Sequence, residues 1–520
     1  MMETMHSKSF IVAVDIGTTS VKSLVVDRDG SVLASHSVEY PMHTPRPEIA
    51  EQDPLQIFNA VLRGIREALR KAGAAAGQVL CVSFSSAMHS VIAVDRELNP
   101  LTKSITWADN RSAGYVDRLN RHYGGRQIYL NTGTPVHPMS PLLKLMWMKD
   151  HMPDIFHKAH KFIGIKEFVF AKLFGQFLID HSLASGTGLF NLRRLDWDEQ
   201  ALEAAGVRRE QLPTPVPTTH IVSGLPAGYA AETGLSADTP FVVGAADGVL
   251  ANLGVGAFEP GRYAVTIGTS GAVRGVVREP TTDPEGRLFC YALKEDFWVI
   301  GGPINNGGIM FRWVRDELAT LEAEEGRKLG GDPYDHLTRI AEQVPPGSDG
   351  LIFLPFLAGE RAPYWNAHAR GVFFGLSLHH RKKHMIRSVL EGVAYRIRSV
   401  VEALEELAGP AAEIRASGGF ARSILWRQIM ADVLGAAVTV PDAIESSGLG
   451  AAQLGLLALG EVRDFSGVHA WVKAGVRHEP DRRNHAIYSE LSAIYSRVYR
   501  QLKAEFDAIA AFQKQHIGKE

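Results

Sequence analysis

The chain has 520 residues, 45 % of them hydrophobic and 22 % charged, with a formal net charge of -2. That length exceeds one typical core and points to two domains. The near-zero charge excludes a general attraction to nucleic acid or to an anionic membrane.

In chain order, apolar runs at residues 10–14, 21–27 and 31–40 predict three strands, with Asp29-Gly30 as the turn between the last two. Three prolines make residues 41–53 an extended excursion. Asp53-Pro54 then places an N-cap and a first-turn proline ahead of a helix to about Lys71, whose apolar positions 57, 58, 61, 62, 65, 68 and 69 form one stripe. Residues 79–85 predict a further strand, so the opening unit is α/β with mixed strand directions. The second half repeats the order, with strands at 262–267, 272–278, 288–293 and 297–301 and a helix over 308–318. Beyond these come a strand at 350–355, a long helix at 381–408, a strand at 415–417 ending in Gly418-Gly419, and a helix at 423–434. A short strand at 437–440 precedes a small-residue helix at 448–459, able to pack closely, and a terminal helix at 485–512. Gly, Glu and Pro interrupt the pattern at 254–261, where the domain boundary is expected.

Cys81 and Cys290 lie outside any Cys-x-x-Cys pattern and read as small buried side chains rather than a disulfide framework. No apolar run is long enough to span a bilayer and the first residues lack a signal-peptide pattern, so a cytoplasmic enzyme is expected.

One feature occurs twice: an apolar strand, then glycine with hydroxyl residues, then a second strand. The first turn is Gly17-Thr18-Thr19-Ser20, between Asp15 and Lys22; the second is Gly268-Thr269-Ser270-Gly271. Each is open to reading as an ordinary hairpin. Glycine also lets the backbone approach a ligand, and successive N–H groups with Thr or Ser hydroxyls make an anion-binding nest. The repeat, with Asp15 beside it as a candidate for a Mg²⁺ water shell, favours one polyphosphate gripped by two similar domains.

The segment Met139-Ser-Pro141-Leu-Leu-Lys144-Leu-Met-Trp147-Met-Lys-Asp150-His151 resembles the first signature of the FGGY carbohydrate kinases. The second signature is resembled by Gly371-Val-Phe-Phe-Gly375-Leu followed, after seven residues, by His384-Met-Ile-Arg-Ser388-Val-Leu-Glu391. With the two turns and Gly418-Gly419, the resemblance covers nearly the whole chain. It implies an α/β fold of two ribonuclease-H-like domains of the actin–hexokinase type with a cleft between them. A sugar-binding domain over 1–256 and a nucleotide-binding domain over 257–520 would follow, with ATP and Mg²⁺ as cofactors. Words such as Ser86-Ala-Met88-His89, Thr106-Trp107-Ala-Asp109-Asn-Arg111 and Asn305-Asn306-Gly307-Gly308 are similar to those of family members that act on sugar acids.

The resemblance also implies roles. Asp247, between an apolar strand and a small-residue helix, matches the catalytic Asp, the general base for the acceptor hydroxyl; by position alone it is equally a helix N-cap. Asp15 would contact Mg²⁺ through water. Thr18, Thr19 and Lys22 flank the γ-phosphate, and Gly268, Thr269 and Ser270 face the β- and γ-phosphates. Gly418 and Gly419 open a helix toward phosphate, Gly308 and Arg312 align with the nucleotide wall, and Ser423 stands where relatives often carry Asn against adenine. Met88, His89, Trp107, Asp109 and Arg111 match the acceptor positions. An extended 107–111 segment would put Trp107, Asp109 and Arg111 on one face. His89 is also open to reading as a core histidine. For an acidic acceptor, Arg111 and then Lys166 are the candidate carboxylate partners, with Arg361 a third.

These readings predict small-molecule partners, a sugar acid and ATP, with no nucleic acid and no membrane; a homodimer is a family-level expectation. Another kinase of the family, acting on a pentulose such as xylulose or on glycerol, stays open, as does a non-catalytic nucleotide-binding sensor.

Overall fold

The computed structural model describes residues 9–441, 445–466, 471–472 and 475–516. The chain forms two compact units: Met1–Phe258 with Val277–Val299 and Glu445–Lys473, and Glu259–Val276 with Ile300–Ile444 and Ala474–Glu520. It thus leaves the first unit after Phe258 and returns to it twice.

The first unit is built on a six-stranded sheet. Its order is Ile221–Val222, Phe241–Ala246, Val79–Ser86, Phe10–Ile16, Ser20–Asp27, Val32–Glu39. Phe10–Ile16 is antiparallel to Ser20–Asp27 and parallel to Val79–Ser86, which is in turn parallel to Phe241–Ala246. All eight residues of Val79–Ser86 are buried, as a central strand covered on both faces requires. The predicted helix runs over Pro54–Ala72. Asp53 accepts from the N–H groups of Leu55 and Gln56, and Gly73 at φ 63° ends the helix. Its stripe packs Ile57, Val61 and Ile65 into a core with Val12, Val14, Phe84, Phe168 and Phe241. Each such side chain contributes about 1.5–3 kcal/mol on burial.

In the second unit Arg262–Ile267 is antiparallel to Gly271–Val277, which neighbours Phe297–Ile304. On its other side Arg262–Ile267 is parallel to Glu413–Ser417, and that strand to Ala437–Val440. An antiparallel edge strand, Val476–His478, completes the run. These six strands run in the same order as those of the first sheet, the expected ribonuclease-H-like repeat, and Phe289–Lys294 adds a seventh beyond Phe297–Ile304.

The small-residue helix, Ser446–Ala458, belongs to the first unit and packs on Asp247–Gly254. A Cβ at Gly254 would stand 1.8 Å from the Ser446 carbonyl oxygen, and one at Gly450 2.0 Å from that of Leu250. Only glycine permits this approach. Three local expectations differ. The helix expected over 308–318 is Ile309–Trp313 followed by a π turn, Val314–Leu318. The terminal helix is two, Arg482–Gln501 and Lys503–His516, parted at Leu502. The Gly418-Gly419 pair does not open an α-helix directly: a 3₁₀ turn, Gly419–Arg422, intervenes, and the helix starts at Ile424 because the Ser423 hydroxyl caps the Trp426 N–H.

Candidate functional site

In the first unit, strand register gathers the residues that carry chemistry. Ile16 and Ser86 are paired, and so are Ser86 and Ala246. Three adjacent parallel strands therefore end level. Their next residues are Gly17, Ala87 and Asp247, so the first glycine–hydroxyl turn, the Met88-His89 segment and the expected base leave one sheet edge.

Both glycine–hydroxyl turns are hairpin turns, with Ile16 opposite Val21 and Ile267 opposite Gly271. The first is braced by the Tyr40 hydroxyl donating to Gly17 O (2.5 Å) and by the Gln52 amide donating to Thr18 O (2.5 Å). Trp107 Nε1 donates to Thr18 Oγ1 at 2.9 Å, which joins an expected acceptor residue to the turn. Lys22 Nζ lies 3.0 Å from both carboxylate oxygens of Glu445, a half-exposed ion pair. Asp15 receives the Ser85 hydroxyl on one oxygen and the Ser447 hydroxyl on the other, each at 2.7 Å. Burial pushes its carboxyl above the ordinary range while these two hydroxyls pull it down. Asp247 begins the helix Asp247–Gly254 and accepts from the Gly248 N–H at 2.6 Å.

His89 sits at φ 68°, with Nδ1 2.6 Å from Gly186 O. The expected face of Trp107, Asp109 and Arg111 is not an extended segment. Residues 107–108 and 111–114 are in turns, and Asp109 is turned inward with no exposed surface. It accepts from the Ala50 N–H (2.9 Å), which pulls it away from the solvent side, and from Arg111 Nε (2.8 Å). Arg111 also reaches Glu51 (2.6 Å), and its guanidinium lies 5.0 Å from the centroid of Trp147. Lys166 is 2 % exposed and pairs with Asp180 at 2.5 Å, so its ammonium is held in the core of the unit. Arg361 donates to the Asn305 side chain and to Ile304 O, also at little exposure.

In the second unit a cavity of about 510 Å³ is lined by Gly268, Thr269, Gly308, Arg312, Gly419 and Ser423 among others. Six of the expected nucleotide residues thus converge from three chain segments. The Gly308 N–H donates to Gly268 O and the Ile309 N–H to Thr269 O. Gly418, at φ 92°, lies so close to the neighbouring strand that a Cβ would stand 2.4 Å from Ile267 O. Ser270 follows Thr269 in the same turn. The rest of the lining includes an aromatic wall that sequence reasoning missed: Phe311, Tyr334 and Trp426, with ring centroids 5.4 and 5.7 Å from Phe311. An apolar wall in one cavity with glycine turns suits a flat base with a phosphate tail. Phe311, three residues after Gly308, lies near an expected site residue in sequence and could have pointed to the wall's first member.

Among the described residues no cluster of three or more His, Cys, Asp or Glu forms a metal cage. Mg²⁺ keeps several waters and uses one or two carboxylates plus substrate phosphates. Asp15, pinned by two hydroxyls and with lone pairs to spare, fits that mode. Among the described residues, no helix is long and apolar enough to cross a membrane.

Residues 10–254 match the model of the FGGY family of carbohydrate kinases, N-terminal domain, and residues 263–459 match that of the C-terminal domain. Over 507 residues the chain is 48 % identical to the gluconokinase of Bacillus subtilis (strain 168), covering 97 % of this chain and 98 % of that one. A crystal structure of gluconate kinase from Lactobacillus acidophilus superposes with a TM-score of 0.91 at 35 % identity, over 96 % of this chain and 99 % of that one. A ligand-bound xylulose kinase from the same organism matches with the same values.

Proposed function

Because the chain belongs to the FGGY family of carbohydrate kinases, we propose that it is an ATP-dependent gluconokinase, transferring the γ-phosphoryl group to the C6 hydroxyl of D-gluconate and releasing ADP. The observation that carries this reading is 48 % identity along nearly the full length of a gluconokinase. At such identity and coverage the acceptor as well as the fold is expected to be shared.

Phosphoryl transfer needs positioning and charge neutralisation more than covalent help. Asp247 is read as the base that orients the C6 hydroxyl and takes its proton; it stands at the sheet edge that also carries Gly17 and Ala87. Met88 and His89 are read as acceptor contacts, with Trp107 as an apolar wall tied to Thr18. Arg111 is read as the cation facing the gluconate carboxylate, its fork oriented by Asp109 and Glu51. Thr18, Thr19 and Lys22 serve the γ-phosphate side. Gly268, Thr269, Ser270, Gly308, Gly418 and Gly419 cradle the phosphates of ATP, and Arg312 and Ser423 border its base. Mg²⁺ would be held by Asp15 through water, and it supplies charge neutralisation on the phosphates.

A pentulose acceptor is the second reading, favoured by the equal structural match to a xylulose kinase. Identification of the product by phosphorus NMR tests the proposal. D-gluconate with ATP should give a primary phosphate ester at C6, and an ester at another carbon would reject the assigned acceptor geometry.

A further inference from the structure

The segment Ala87–Ser90 crosses the sheet edge and is anchored at both ends. The Ala87 N–H donates to Ile16 O at 2.8 Å, and Ser90 Oγ accepts the Ile165 N–H at 3.0 Å. Between these anchors His89 takes a left-handed backbone conformation, φ 68°, which a side-chain-bearing residue adopts at a cost. Two groups hold it there. Gly186 O accepts from the ring at Nδ1; a carbonyl cannot donate, so Nδ1 carries the hydrogen and the neutral ring has its acceptor lone pair on Nε2. Lys144, with no exposed surface, donates from Nζ to His89 O at 2.6 Å and to Met139 O at 2.8 Å.

Lys144 lies on the helix Pro141–His151, and Met139 stands two residues before that helix begins. Its ammonium therefore ties the helix start to the bend at His89. Burial pushes the amine down to about 7, which makes it an expensive way to satisfy two carbonyls unless their placement matters. Gly186 adds a steric check: a Cβ there would stand 2.4 Å from Met88 Cε and 3.2 Å from His89 Cε1. Met88 and His89 thus fill the space that a side chain at 186 would take.

We propose that Lys144 is a positioning residue for the acceptor: by bridging the carbonyls of His89 and Met139 it holds the left-handed bend at His89, and so the aim of the Met88 and His89 side chains. This rests on the reading of Met88 and His89 as acceptor contacts.

The test separates the two. Steady-state kinetics on the full chain would compare wild type with Lys144→Met, Lys144→Gln and His89→Ala, varying D-gluconate and ATP independently and recording Tm for each. Methionine matches the volume and removes every donor; glutamine keeps a donor but is too short to bridge both carbonyls. Expected is a rise of at least about tenfold in the KM for gluconate in Lys144→Met, with the KM for ATP within about twofold. In the double variant the effects of Lys144→Met and His89→Ala should be less than additive, because the bend acts in part through the ring it aims. A purely structural lysine would lower Tm and the active fraction, reducing kcat while leaving both KM values alone; that result overturns the proposal. So does an unchanged gluconate KM in either folded Lys144 variant, or failure of both to fold. If instead His89→Ala leaves the gluconate KM unchanged while Lys144→Met raises it, the acceptor role of His89 falls and this proposal with it.

Discussion

The main-chain N–H of Gly308 donates to the carbonyl oxygen of Gly268 across 2.7 Å, and the Ile309 N–H follows with Thr269 O at 3.1 Å. Two glycine turns, forty residues apart in sequence, thereby close on one another in the lining of the cavity that also carries Phe311, Tyr334 and Trp426. A Cβ on Gly308 would stand 2.6 Å from that oxygen and one on Gly307 2.5 Å from Ser270 O, so the pairing excludes side chains at both.

From this contact, Gly308→Ala must push the two turns apart. The KM for ATP should rise at least about tenfold while the KM for gluconate stays within about twofold. Calorimetric titration with ADP, which needs no turnover, should show the same loss. An unchanged ADP affinity would assign the pairing to packing alone.

Ala246, not Asp247, is the N-cap of the helix, so Asp247→Asn separates a base from a first-turn helix residue. The Asn side-chain carbonyl can still accept the Gly248 N–H that Asp247 receives at 2.6 Å, so helix start and stability should survive. The proton acceptor is lost, and turnover should fall at least about 10²-fold. Circular dichroism and Tm alongside single-turnover kinetics check this. Near-normal turnover would leave Asp247 as a first-turn helix residue with no part in the chemistry.

Glu167 gives a pH prediction. It is 2 % exposed, and burial pushes its carboxyl up from 4.5 to about 7. A raised carboxyl pKa means that the native state holds the proton more tightly than the unfolded chain. Stability therefore falls as pH rises from about 4.5 to 7 and levels off above. Glu167→Gln removes the titrating group and should flatten that slope, gaining about 1–3 kcal/mol relative to wild type between pH 4.5 and 7. Urea midpoints at the two pH values measure it. Lys144, lowered to about 7, adds an opposite slope only above that range. A variant that tracks wild type across the window would remove the burial argument.

Much of the fold was legible because strands covered on both faces read as apolar runs, as at residues 79–86, and because Asp53-Pro54 and Gly73 bracket a striped helix. The close-packing helix near 448–459 was legible from its small residues, and Gly450 against Leu250 O shows why they are small. What stayed hidden depends on partners far apart in sequence. An extended 107–111 segment would put Asp109 on one face with Trp107 and Arg111, but the Ala50 N–H draws it inward. Lys166 looked like a candidate cation for substrate, and its partner Asp180 lies on a different element. The aromatic wall draws on residues 311, 334 and 426, whose common position no local pattern encodes.

The most direct test of the account is ADP release with ATP and Mg²⁺ across D-gluconate, D-xylulose, L-ribulose, glycerol and D-glucose at equal concentrations. The account predicts that gluconate exceeds every neutral acceptor in kcat/KM by at least about 10²-fold, roughly 2.7 kcal/mol of transition-state discrimination. A neutral ketose or glycerol outperforming gluconate would contradict it, leaving the nucleotide cavity and Asp247 in place but overturning the acceptor.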